Sequence, residues 1–162
     1  MSNFVIFLHE VPDQVGDDRK KGEIFAKDED KLKDMDITLK DKVAIVTGGT
    51  RGIGFAMVKK FIEAQAKVVI WGSKKETAEA ALEKLKEIYP DCDAMAMAPA
   101  LTDQNQVREA MEVVMSRYGR IDILANNAGI SQSIPLENYT DEDLDRIIDL
   151  NIRAVFVCCK AA

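Results

Sequence analysis

The run Val43-Ala44-Ile45-Val46-Thr47 leads straight into Gly48-Gly49-Thr50-Arg51-Gly52-Ile53-Gly54, and no other stretch restricts the possible folds as much. An apolar, mostly β-branched segment without polar alternation suits a strand buried on both faces, as in a parallel sheet covered by helices. Four glycines among the next seven residues permit backbone angles that other residues resist, and leave no side chain between chain and ligand. After Gly52, Ile53, Met57, Val58, Phe61 and Ile62 recur at helical spacing. The pattern predicts strand, glycine turn and helix, with the unpaired N–H groups of the helix start directed at the turn. That is a pyrophosphate site. The spacing Thr-Gly-x-x-x-Gly-Ile-Gly differs from the Gly-x-Gly-x-x-Gly fingerprint. A glycine turn alone also fits a tight connection that binds nothing, so the rest of the chain decides.

From Asp36 onward the pattern is regular. Strands are predicted at about 43–47, 67–71, 94–98 and 121–125, and helices start near 53 and after Lys75, Thr102-Asp103 and Thr140-Asp141-Glu142-Asp143. Pro90 closes the second helix and Gly119 the third. The fourth helix is expected to bury Leu144, Ile147, Ile148, Ile152, Val155 and Phe156 and to run on to Ala162. Met95, Met97, Met111 and Met115 read as core residues. Strands alternating with helices of this length imply right-handed βαβ units. The fold class is therefore α/β, a Rossmann-like doubly wound parallel sheet of about four strands and four helices.

Residues 1–36 read as a separate extension, poorly ordered or loosely docked, ahead of a nucleotide-binding unit over 37–162. Phe4-Val5-Ile6-Phe7-Leu8 suits an edge strand, whereas Val11 to Asp36 has no sustained apolar period. His9, the single histidine, lacks positioned partners there and reads as incidental. A net charge of −6 argues against a nucleic-acid partner. No apolar stretch approaches membrane-spanning length, and no secretory signal opens the chain. Cys92, Cys158 and Cys159 lack metal-ligand spacing, so no metal is expected, and an odd count suggests free thiols in a reducing cytoplasm.

The order of Thr47-Gly48-Gly49-Thr50-Arg51-Gly52-Ile53-Gly54, then Asn126-Asn127-Ala128-Gly129 after the fourth strand, then Asn151 in the next helix, resembles the short-chain dehydrogenase/reductases. The likeness covers about residues 40–162, and within the family it is similar to 3-oxoacyl carrier-protein reductases and bacterial bile-acid 3-hydroxysteroid dehydrogenases. It implies hydride transfer between a nicotinamide cofactor and a carbonyl or secondary alcohol in a homo-oligomeric enzyme. By position, Gly48, Gly52, Ile53 and Gly54 would line the adenosine and pyrophosphate, and Thr50 of the same turn counts among the cofactor-binding residues. Asn126, Ala128 and Gly129 would pass beside the adenine-side ribose and support the sheet, and Asn151 would help hold a proton-relay water. In the family an aspartate usually follows the third strand and meets the adenine. Ala100 stands in that place here, leaving the Leu101 backbone to serve.

NAD-selective members usually place an acid near the end of the second strand. Here that region reads Trp71-Gly72-Ser73-Lys74-Lys75. Arg51 and Lys74 are placed to face a 2′-phosphate and Ser73 to donate to it, so NADP is expected in preference to NAD. The plainer alternative makes Lys74 and Lys75 a solvated helix start.

The family's catalytic serine, and its tyrosine with a lysine four residues later, have no counterpart. The residues four after Tyr89, Tyr118 and Tyr139 are Asp93, Asp122 and Asp143, so no cation depresses a phenol's pKa. Only Asn151 of the tetrad is present. Two readings follow: the cofactor half of an oxidoreductase whose remaining residues lie beyond Ala162, or a catalytically inactive nucleotide-binding remnant with an interaction role. In either, the edge of the fourth strand and an apolar helix face are expected to lie open, giving a marginal or self-associating chain.

Overall fold

The computed structural model describes residues 38–162 and the strand at 5–8. Its elements are β1 (Val5–Leu8), β2 (Val43–Thr47), α1 (Gly52–Glu63), β3 (Lys67–Trp71), α2 (Lys75–Ile88), β4 (Ala94–Met97), α3 (Gln104–Tyr118) and β5 (Ile123–Asn126). A short 3-10 turn (Leu136–Asn138), α4 (Asp141–Ile148), a π-helical turn (Asp149–Arg153) and α5 (Ala154–Ala161) follow. The expectations for Val11–Asp36 and His9 concern residues outside the described ones.

The sheet order is β1-β5-β2-β3-β4, with β2 through β5 mutually parallel. The chain steps outward from β2 to β3 to β4 and then returns to the other side of β2 for β5. Between β2 and β5 the winding therefore reverses, and in such sheets ligands bind outside the carboxyl ends of the strands at that point. Both faces are covered. Val46, Val68, Ile70 and Ala125 pack with Phe55 and Val58 of α1 and with Ala81 and Leu85 of α2. Val43, Ile45, Val69, Trp71 and Leu124 pack with Val107, Ala110, Met111 and Val114 of α3 and with Val157 and Cys158 of α5. Alternation along each strand thus feeds two separate cores, which is why β2 carries no exposed residue.

The amino end of the β2–β5 pair is pinned by Asp122. Its carboxylate accepts from Val43 N (2.9 Å), Lys42 Nζ (3.2 Å) and Arg120, while its own N–H donates to Val43 O (2.9 Å). Burial alone raises the pKa of this carboxyl; the hydrogen bonds from Arg120, Val43 and Lys42 outweigh it and bring the value to about 2.

Three expectations need correction. The β5 edge is not open, because β1 pairs along it antiparallel, from Val5 opposite Asn126 to Leu8 opposite Ile123. The fourth helix runs through a π-helical turn rather than as one regular α-helix, and the face carrying Leu144 is not its buried one. Ala154, Val157 and Cys158 are buried, whereas Leu144, Ile148, Ile152 and Phe156 are exposed, Phe156 by 73%. Met111 is a core residue and Met95 and Met97 pack at the core's margin, but Met115 is exposed.

Candidate active site: the dinucleotide cleft

Thr47, the last residue of β2, organises the cleft. Its hydroxyl is the one polar group in an otherwise apolar strand, and it accepts from Asn127 N and Ala128 N, each at 3.0 Å. The Asn127 side chain returns the tie, with Nδ2 donating to Thr47 O and Gly48 O, both at 3.1 Å. Residues some 80 positions apart are therefore clasped, and the turn after β5 is locked to the glycine turn after β2. The clasp leaves no room for side chains. A Cβ on Gly54 would lie 2.2 Å from Gly48 O and 2.5 Å from Asn127 Nδ2, so only glycine lets α1 begin this close to the strand ends. Gly48 itself has φ +65, a left-handed conformation that favours glycine.

The start of α1 is available to an anion. Asp103 caps α3 by accepting from Asn105 N (2.9 Å) and Gln106 N (3.2 Å), and Thr140 with Asp143 forms a capping box on α4. By contrast Arg51, at the N-cap of α1, makes no side-chain cap, and the first turn of α1 holds no acidic residue. Its leading N–H groups keep their partial positive charge facing the cleft.

The glycine turn also leans on β3. Gly49 N donates to Trp71 O at 3.2 Å, and a Cβ on Gly72 would meet Thr50 Cγ2 at 2.9 Å. Arg51 thereby comes to the same end of the sheet as Ser73 and Lys74, all three exposed. Lys75, by contrast, pairs with Glu79 on the face of α2 (3.7 Å), as a solvated helix start does. Gly72 N donates to Met97 O (2.9 Å), so the loop after β4 that carries Leu101 sits next in line.

The structure thus gathers Gly48, Thr50, Arg51, Gly52, Ile53, Gly54, Ser73, Lys74, Leu101, Ala128 and Gly129 along the carboxyl edge of the sheet. Asn126 faces elsewhere: it is buried, and its Nδ2 donates to the Cys159 thiol of α5 at 3.5 Å. Its place is in supporting the sheet. Asn151 lies on the π-helical turn, a distortion frequent at functional sites. Its Oδ1 accepts from Ile130 N (2.9 Å) and its Nδ2 donates to Ile130 O (2.8 Å), so its side chain braces the backbone beyond Gly129.

The tyrosines are engaged elsewhere. Tyr118 donates to Asp93 Oδ1 (3.1 Å), and burial together with that carboxylate pushes its phenol up to about 12. Tyr89 donates to Glu63 (2.6 Å), which raises its pKa, and Tyr139 donates to Gln132 O (3.1 Å). Held above the usual phenol range, Tyr89 and Tyr118 are not poised as bases near neutral pH. Among the described residues no cluster of histidine, cysteine or acidic side chains has metal-binding geometry.

The family model of the short chain dehydrogenases matches residues 42–162. The chain belongs to this family. A 3alpha-hydroxysteroid dehydrogenase of Mediterraneibacter gnavus is 56% identical over 128 residues, which are 79% of this chain and 51% of that protein. The 3-oxoacyl-[acyl-carrier-protein] reductase FabG of Chlamydia pneumoniae is 34% identical over 127 residues, 78% of this chain and 50% of the relative. Among solved structures, the Pseudomonas aeruginosa RhlG/NADP active-site complex superposes with TM-score 0.70 at 31% identity, covering 77% of this chain and 48% of that one. A metagenomic short-chain oxidoreductase in complex with NADP gives 0.69 at 29% identity, covering 76% and 55%. The chain spans about half the length of the curated relatives it matches.

Sequence reasoning missed Thr47 as the hub and Asn127 as its partner. Two signals were present: a hydroxyl closing a strand of five buried residues, and a second asparagine beside Asn126.

Proposed function

We propose that this chain forms the cofactor-binding half of an NADP(H)-dependent oxidoreductase acting on a carbonyl or secondary alcohol. The observation that carries the reading is the clasp between Thr47 and Asn127, which builds a side-chain-free cradle at the uncapped start of α1. The residues present fit a nicotinamide dinucleotide: a Cβ at Gly54 fills the cradle, and no carboxylate of α1's first turn opposes a pyrophosphate. When bound, the nicotinamide supplies or accepts a hydride. The chain's own residues hold the pyrophosphate on the N–H groups of 52–54, flank the ribose with Ser73, and brace the nicotinamide side through Asn151 and Ile130.

Arg51 and Lys74 support NADP over NAD. Both side chains are free of ion pairs among the described residues, both are exposed, and no acid stands at the end of β3 to repel a 2′-phosphate. Calorimetric titration tests this: NADPH binds more tightly than NADH, and Arg51→Ala with Lys74→Ala removes most of the difference while leaving NADH affinity unchanged. Equal affinity of the unaltered chain for both cofactors refutes the preference, and binding of neither refutes the cofactor role.

The 56% identity to a 3alpha-hydroxysteroid dehydrogenase, against 34% to 3-oxoacyl-[acyl-carrier-protein] reductases, supports a hydroxysteroid or ketosteroid as the substrate class to assay first. Tyr89, Tyr118 and Tyr139 do not supply the proton-transfer group of such a reaction, since their hydroxyls are engaged by Glu63, Asp93 and Gln132 O. A homo-oligomer is supported by Leu144, Ile148, Ile152 and Phe156, spaced four apart on one exposed helical face. Cytoplasmic residence is supported by three free cysteines, and among the described residues no helix is long and apolar enough to cross a membrane.

A further inference from the structure

The sheet sorts its connecting helices by the direction in which the chain crosses it. Stepping from β2 to β3 and from β3 to β4, the chain carries α1 and α2 on the face built from Val46, Val68 and Ile70. Returning from β4 to β5, on the far side of β2, it carries α3 on the opposite face, with Val43, Ile45 and Leu124. Reversing both direction and face preserves the hand, and crossovers between parallel strands are right-handed in about 98% of cases. After β5 the chain stays on the α3 face, where Val157 and Cys158 of α5 are buried. By the same hand, a parallel strand that follows α5 belongs on the outer side of β5, away from β2.

That edge is occupied by β1, which runs antiparallel from Val5 opposite Asn126 to Leu8 opposite Ile123. Leu8 thus lies at the amino end of β5, the same end of the sheet at which β2 begins. Only two strand spacings separate β1 from β2, about 10 Å. Residues 9–37 join them, and at up to about 3.3 Å per residue that stretch can reach many times the distance. The covalent connection therefore does not dictate where β1 sits; its pairing with β5 does.

We infer that the outer edge of β5 is a strand-acceptor site and that β1 is its detachable cover, lying where a parallel strand that follows α5 belongs. While β1 is seated, no other strand pairs with β5 on that side. When β1 leaves, the outward row of β5 N–H and C=O groups opens to the strand that follows. The cover is independent of the cofactor, so its test needs none.

Ile6→Pro and Phe7→Pro are made singly in the full 162-residue chain. Successive N–H groups of a strand point to opposite sides, so one variant removes a donor to β5 and the other an N–H on the free side, where an edge strand tolerates proline. Hydrogen exchange read by NMR follows the two alternate sets of β5 amides. In the unaltered chain both sets exchange slowly. One proline variant speeds the outward set by roughly tenfold or more and leaves the set bonded to β2 slow, while the other variant leaves both slow. A fluorescently labelled peptide of residues 2–11 then probes the vacated edge. The variant that opens β5 binds it about tenfold more tightly than the unaltered chain, whose own β1 competes from a tether. A peptide carrying the same proline is not bound. Fast exchange of the outward set in the unaltered chain, equal behaviour of the two proline variants, or equal peptide affinity with and without a seated β1 overturns the inference. Loss of protection in both β5 sets overturns it as well, because it marks β1 as part of the core rather than a cover.

Discussion

Replacing Thr47 by valine removes one oxygen from the clasp and almost no volume. The buried hydroxyl accepts from Asn127 N and Ala128 N at 3.0 Å and directs its own proton toward Ala125 O at 3.4 Å, a long contact that contributes little. Asn127 N also reaches Ala125 O at 3.0 Å and keeps that acceptor in the variant. Ala128 N has no second acceptor among the described residues, so it bears the main loss. An unsatisfied donor costs about 1–3 kcal/mol when buried, less for a half-buried group, and the weakened Asn127 bond adds about 0.5. The sum is about 2 kcal/mol. With a urea dependence of about 2 kcal/mol per molar for a unit this size, the unfolding midpoint falls by about 1 M. Freed from Thr47, the turn at 127–129 no longer fixes the cradle, and NADPH affinity measured by calorimetry drops at least tenfold. Thr47→Ser separates the two effects. It deletes one buried methyl, at a cost of about 1 kcal/mol, yet keeps the hydroxyl and therefore binds NADPH as the unaltered chain does. If Thr47→Val binds NADPH normally, or if the serine variant binds as poorly as the valine variant, the clasp does not organise the cleft.

Two further outcomes follow from features outside the cleft. The Asp122 carboxyl titrates at about 2 in the folded chain against an ordinary value of 3.8, so its contribution is fully present above about pH 4 and lost as pH falls to 2. The span is worth about 2 kcal/mol at 1.36 kcal/mol per unit, and Asp122→Asn flattens the stability profile of urea melts across that window. Phe156→Glu places a charge at the carboxyl end of the exposed apolar stripe; sedimentation velocity is then expected to show a monomer where the unaltered chain associates, while the far-ultraviolet circular dichroism spectrum is unchanged because the side chain is 73% exposed.

What the sequence discloses here follows from how far each signal reaches. β2, β3 and their helices are legible because period-2 and period-3.6 patterns act between neighbours, and the two-core alternation of Val43 to Thr47 needs no distant partner to be seen. Asp103, Gly119 and the Thr140–Asp143 box are legible for the same reason, since a cap satisfies backbone groups within three residues. The fourth helix fails that logic. Leu144, Ile148, Ile152 and Phe156 keep a faultless apolar spacing and share one face across the π-helical turn at 149–153, yet that face is exposed, while Ala154, Val157 and Cys158 on another face are buried; periodicity tells that a face is apolar, not which element covers it. That turn is also what carries Asn151 to Ile130. The residues that assemble the site are less legible still. Thr47 meets Ala128 across 81 positions, and Asn127 meets Gly48 across 79. Each acts on the main chain of its partner, which is the same in every residue, so no residue type opposite them betrays the contact. The glycines mark where a dinucleotide can lie. The groups that hold the walls of the cleft around it are visible only once the strand ends are brought side by side.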